Sequence, residues 1–201
     1  MKPLFKLAAP VALALTAGAC SLGGLLGGGG KPPPVLFTLT PEAPAPADLA
    51  RSASAGQAVT IEVPETPTEL KVLRVPVQVA PTEVAYVTNL QWADTPDRLF
   101  QRLLSETVRR TTGRVVLNPA QTTLDPGIVV SGQLQHFGYD AQTGQVVVTY
   151  DAAMTKADGS TVQTRRFEAR ESADGTAATV APALNRAANA VALQVAQWIG
   201  G

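Results

Sequence analysis

The chain holds one thiol, Cys20, and one imidazole, His136. Those two side chains bound the chemistry it can perform. One histidine without a cysteine cluster builds no ordinary tetrahedral zinc site, so neither a metal nor a cofactor is expected. No G-x-S-x-G turn presents a serine nucleophile. The acids near turns and helix starts are Asp94, Asp97, Asp125 and Asp140. No spacing among them pairs two carboxylates as glycoside hydrolysis requires. His136 falls in a strand-like run with Leu134 two positions before it, on the same face of a regular strand. That reads as a structural histidine. No catalytic residue is expected, and the chain reads as non-enzymatic.

The context of Cys20 points to a different chemistry. Lys2 and Lys6 form a small positive region before the apolar run Leu7–Ala17. A helix spanning a bilayer needs roughly 20 apolar residues, and this run is too short. It has the length of a signal-peptide h-region, and Ala17-Gly18-Ala19 supplies the small residues of a cleavage site. Residues 1–19 are therefore read as a signal peptide whose removal leaves Cys20 first. This arrangement resembles the lipobox of bacterial lipoproteins, with Ala17 where that pattern prefers Leu. The resemblance implies a diacylglycerol on the Cys20 sulfur and a further fatty acyl chain, such as palmitate, on its amine. One chain anchors marginally, and two or more hold stably. In such lipoproteins Asp after the cysteine favours the inner membrane, so Ser21 implies the outer membrane, with the domain facing the periplasm. The same triplet also satisfies the A-x-A rule of an ordinary secretory signal. That alternative would leave an unpaired thiol in an oxidising compartment.

The elements behind this anchor are legible from pattern. The 201 residues carry 16 basic and 16 acidic side chains, and no basic patch suggests nucleic acid. Residues 20–34 read as the lipidated cysteine and a Gly/Pro tether reaching at most ~50 Å. Residues 35–201 read as one domain. "VLFTL" (35–39) is a short β-prone run, and 40–57 is expected as a mobile Pro/Ala/Ser-rich loop. Val59, Ile61 and Val63 alternate with polar residues, which predicts a half-buried strand. Val72–Val79 is a second strand, placed at an edge or bulge by Pro76, and Glu83–Thr88 a third. Asp94–Gly113 is a helix with Thr95 as cap, Pro96 at the first position and Gly113 at the stop. Its Leu99, Phe100, Leu103, Leu104 and Val108 share a face, and Arg102 and Glu106 are spaced to pair.

Three longer strands follow, Ile128–Tyr139, 146–154 and Val162–Arg170, and Asp158-Gly159 marks a hairpin turn. A last helix is expected over Thr179–Ile199. The order βββ-α-βββ-α predicts an α+β domain, a mostly antiparallel sheet with two amphipathic helices packed on it. The last helix carries one charge, Arg186, and a second face of small residues including Ala183 and Ala187. That face is a candidate interface with a second copy or with a partner protein. Phe37, Tyr86, Trp92, Tyr139 and Trp198 are core or interface anchors, with a lipid groove as the alternative. Trp92, just before the helix, is expected to pack the corner between sheet and helix.

"VLFTL" and "VLRVPVQVAPTEVAYVTNLQWADTPDRLFQRLLSETV", followed by the meander and the Ala-rich final helix, resemble one family in their order. The family is the ABC-type transport auxiliary lipoproteins, which partner MCE-type lipid transporters. The resemblance spans about residues 35 to 199. Phe37 stands where members often have Tyr, and Arg74-Val75-Pro76 alters the usual entry to the strand. It implies a non-catalytic component of phospholipid transport across the periplasm. Its partners would be an MCE protein and, through it, an inner-membrane ABC transporter. The alternative is an assembly or pilot lipoprotein for another outer-membrane complex.

Overall fold

Alternating and 3.6-periodic apolar residues settle into the elements these patterns predict, with additions that tertiary contacts supply. The computed structural model describes residues 35–45, 50–121, 123, 125, 127–156 and 159–200. Among them the elements in chain order are β1 (Leu36–Phe37), β2 (Val59–Ile61), β3 (Arg74–Ala80), β4 (Glu83–Trp92), α1 (Pro96–Thr111), β5 (Val116–Leu117), β6 (Ile128–Asp140), β7 (Gln145–Thr155), β8 (Val162–Ser172) and α2 (Ala177–Gly200). The α+β class and the two packed helices are as expected. The two-residue β5 is an addition, too short to carry a sequence period.

The sheet is mixed. Its long pairings are antiparallel: β3 with β4, β6 with β7, and β7 with β8. Its short pairings are parallel: β1 with β4, β2 with β5 and β6, and β3 with β6. β6 is the hub. One edge runs along β7 for its whole length. The other edge takes β2 at Ile128–Val130 and β3 at Tyr139–Asp140. The crossing of β3 over β6 needs Gly138, because a Cβ there would stand 2.5 Å from the Pro76 carbonyl oxygen. Pro76 sits at a bulge between Arg74 and the rest of the pairing with β4, so β3 is an interior strand with an irregular register.

β2 departs from the expected half-buried strand. Lying between β5 and β6, it is covered on both faces, and Thr60 is as buried as Val59 and Ile61. α1 starts at Pro96 as its sequence predicts, but the Thr95 hydroxyl makes no capping bond. Asp94 instead accepts the Thr95 N–H at 2.8 Å. The helix stops through Gly113, whose φ of 68° is the left-handed conformation that glycine adopts freely. Arg102 pairs with Asp94 at 3.0 Å rather than with Glu106. Both Glu106 oxygens are taken by Arg109 and Arg110, at 2.5 and 2.7 Å.

One continuous core lies between the helices and one face of the sheet. Phe100 of α1 meets Tyr150 of β7 edge-on at 5.2 Å, and Trp92 meets Phe137 at 5.6 Å. Val180, Leu184, Val191 and Val195 of α2 are fully covered in the same cluster. Burying each such aliphatic side chain contributes about 1.5–3 kcal/mol.

Candidate functional site

Cys20, the signal sequence and the tether lie outside the described residues, as does Asp158 of the expected hairpin turn. The described chain begins where the tether would join the domain, and there the structure is specific. Leu36 and Phe37 pair in parallel with Gln91 and Trp92, and the Ala93 N–H donates to the Phe37 carbonyl at 2.7 Å. The next residues, expected as a mobile loop, are tied to α2. Asn185 and Asn189, one turn apart, act as a short artificial strand edge. The Asn185 Oδ1 accepts the Thr40 N–H and the Asn189 Oδ1 accepts the Glu42 N–H, each at 2.8 Å. Asn189 Nδ2 donates back to the Thr40 carbonyl at 2.9 Å, and Asn185 Nδ2 donates to the Glu42 carboxylate at 3.1 Å. From α1, the Arg110 guanidinium donates to the Ala43 carbonyl at 2.7 Å. Asparagine is a poor residue for a helix interior. Its i, i+4 recurrence in an alanine-rich helix is the one mark the strap leaves in the sequence.

This strap corrects the reading of α2. Ala183 and Ala187 are fully buried within the monomer. They lie on the face of α2 that also carries Gln194 and Trp198, which reach Glu168 and Phe167 of β8, so the scarcity of charge reflects intramolecular burial. They are structural residues and present no free face to a partner. What α2 exposes is a narrow stripe that includes Pro182, Arg186, Leu193 and Gln197.

The aromatic candidates do not converge on one groove. Trp92 is completely buried at the end of β4, at the corner before α1, with its indole N–H unpartnered. Phe37 is half-buried and packs on the core beside it. Tyr86 lies farther back along β4, with the Arg74 guanidinium 3.8 Å from its ring centre. Trp198 is half-buried near the end of α2, against Phe167 at 5.5 Å. Tyr139 is half-buried at the end of β6, on the edge of the core.

His136 also moves. A bulge between Leu134 and His136 inserts one residue, so Leu134 and Phe137 both face the core and His136 faces outward. The bulge thus separates His136 from the face of Leu134, which regular alternation would have given it. His136 lines a cleft of about 320 Å³ on the sheet face away from the helices, with Asp140, Glu168 and Arg170. Those carboxylates are engaged. Glu168 accepts from Thr149 at 2.9 Å and from Arg170 at 2.8 Å. Burial pushes its carboxyl up, but these two partners outweigh that and hold it below the ordinary glutamate range. Asp140 accepts the Gln142 N–H at 2.9 Å. Among the described residues no hydrogen bond joins His136 to a carboxylate, and no three His, Cys, Asp or Glu residues cluster to hold a metal. Farther along this face Arg166 grips Asp151 through two bonds of 2.6 Å. It is a solvated, ion-paired surface.

Among the described residues no helix is long and apolar enough to cross a membrane. No curated protein matches the sequence. The fold is similar to that of protein XCC0632 from Xanthomonas campestris, at TM-score 0.62 and 15% identity, covering 82% of this chain and 91% of that one. An uncharacterized protein of known crystal structure is similar at TM-score 0.60 and 15% identity, covering 82% of this chain and 99% of the other. The family profile for the ABC-type transport auxiliary lipoprotein component matches residues 37–196, from β1 to the last turns of α2. On that match, which takes in β1, the strap, both helices and the whole sheet, the chain belongs to the ABC-type transport auxiliary lipoprotein component family.

Proposed function

We propose that the protein is a non-catalytic, outer-membrane-anchored component of an MCE/ABC-type system moving phospholipid across the periplasm. The family match over residues 37–196 carries this reading, because it ties the folded unit to ABC-type transport and to a lipoprotein anchor. Two features of the chain support it. Cys20 follows a short apolar run and small residues, as lipidation requires. The strand and strap after the tether fasten the anchored end of the chain to both helices. In this role the protein contributes position. A lipid anchor confines the domain to a thin layer and raises its effective concentration near a partner. ATP hydrolysis and the lipid conduit belong to the other components.

The test is affinity purification of the full chain from detergent-solubilised membranes, with mass-spectrometric identification of what accompanies it. Recovery of an MCE protein and an ABC permease or ATPase with wild type, reduced in Cys20→Ala, is the expected result. Recovery of a secretin or another outer-membrane assembly without any MCE protein would replace this reading with a pilot role. Labelled fatty acid entering wild type but not Cys20→Ala checks the anchor separately. A soluble wild type with a free thiol would sink the anchor.

A further inference from the structure

A cavity of about 940 Å³ opens between the C-terminal end of α2, the Arg114 segment that follows α1, the end of β7 and the start of β8. The ends of α1 and α2 are neighbours: a Cβ added at Gly200 would stand 3.6 Å from the Thr112 methyl group. The cavity wall carries Arg114, Lys156 and Arg165, with the amides of Gln194 and Gln197 and the ring of Trp198. No carboxylate lines it among the described residues. Elsewhere Arg102, Arg109, Arg110, Arg166, Arg170 and Arg186 each meet an acid. The three cations of the cavity have no such partner among the described residues. Arg165 has only the Phe167 ring, 5.2 Å from its guanidinium carbon. Asp125, near the Gly56 side of the wall, is occupied by the N–H groups of Gly56, Ala58 and Gly127.

The bland account is that the cations answer the helix dipoles. Each helix C-terminus carries roughly −0.5 of an elementary charge, so two supply about −1 against three full positive charges. With the ionised Asp125 beside the wall counted as well, a surplus of about one positive charge is left in a concave site within the ~300–1,000 Å³ range of ligand pockets. Guanidinium groups match the oxygens of a phosphate, and amide side chains suit the hydroxyls or ester oxygens around one. We infer that this cavity binds a phosphate-bearing anion, either free or as the head group of an anionic phospholipid. The inference goes beyond the transport role and does not rest on it. A failed co-purification and a failed titration are separate results.

Trp198 is the reporter, since the chain's other tryptophan, Trp92, is buried away from solvent. The full chain, in a nonionic detergent, is titrated with inorganic phosphate, with dihexanoyl-phosphatidylglycerol and with sodium chloride at matched ionic strength, following tryptophan emission. The expected result is a saturable change with phosphatidylglycerol that sodium chloride does not reproduce. Competition by inorganic phosphate identifies the anion alone as sufficient. Its failure to compete identifies the lipid head group as the ligand. Arg114→Gln with Arg165→Gln weakens binding at least about tenfold, as loss of charged hydrogen bonds should. If circular dichroism shows that double variant unfolded, Lys156→Gln gives the same reading in the same direction. No saturable change with either phosphate compound overturns the inference. So does an equal response to sodium chloride, or an affinity unmoved by substitution in a folded variant.

Discussion

α1 and α2 lie side by side on one sheet and solve opposite problems. α1 is an ordinary surface helix. One face, from Leu99 to Val108, enters the core, and the other holds Arg102, Glu106, Arg109 and Arg110 in ion pairs. α2 is enclosed on three sides, by the sheet, by α1 and by the strap at Thr40–Glu42. Twelve of its 24 residues are buried, and one of them is the polar Asn189. The contrast shows that low charge on a helix measures how much of its circumference is covered, not what covers it. Here the cover is the chain's own N-terminal segment.

The sharpest way to break this comparison is Ala187→Glu. The side chain would enter the closed packing beneath α2 with no partner, a cost on the order of 4 kcal/mol from the uncompensated charge. Against a total of ~5–15 kcal/mol, that loss should pull the urea midpoint of the variant far below that of wild type. A stable, folded Ala187→Glu that merely fails to associate would restore the intermolecular reading of that face. Asn189→Ala tests the strap. It strands the Glu42 N–H and the Thr40 carbonyl, for about 1–3 kcal/mol. Hydrogen exchange at the Glu42 amide should quicken while amides inside β7 stay protected.

A smaller effect belongs to the start of α2. Asp174 accepts bonds from the Thr176 N–H and hydroxyl, at 2.9 and 2.7 Å, and from the Thr179 hydroxyl. The Thr179 bond, then those of Thr176, hold its carboxyl at about 2, against an ordinary 3.8. The folded value lies below the unfolded one. The stabilisation is therefore complete above about pH 4 and disappears as pH falls through about 2. Asp174→Asn should melt earlier than wild type at pH 7, and the two melting curves should draw together toward pH 2. The smallest effect is the control on α1. Arg102→Ala removes an exposed ion pair with Asp94 and should leave the melting temperature within error of wild type.

Much of this architecture could be read from the chain because its signals were periodic. α1 declared itself through Pro96, Gly113 and a five-residue apolar face, and β7 through strict alternation from Val146 to Met154. The parallel pairings were invisible. β1, β2 and β5 are two or three residues long, and their partners are chosen by distant contacts. His136 was placed on the wrong face because one inserted residue reverses alternation, and nothing near Gln135 announces a bulge. The cationic cavity gathers Arg114 and Lys156 from connecting segments and Arg165 from β8, so no local spacing marks it. For the lipid anchor the order reverses. Cys20 was the plainest feature of the sequence and lies outside the described residues.

The strap has a mechanical consequence. A domain anchored to a membrane through its N-terminal side would be pulled there whenever its partner drew away. Here the load would enter at Val35 and meet the parallel β1–β4 bonds, then the Asn185 and Asn189 clamps, then Arg110. These contacts follow one another along the chain, so a pull from the N-terminal side would reach them in that order. The Thr40–Ala43 segment acts as a strain relief, passing tension to two core helices before it reaches the long strands of the meander.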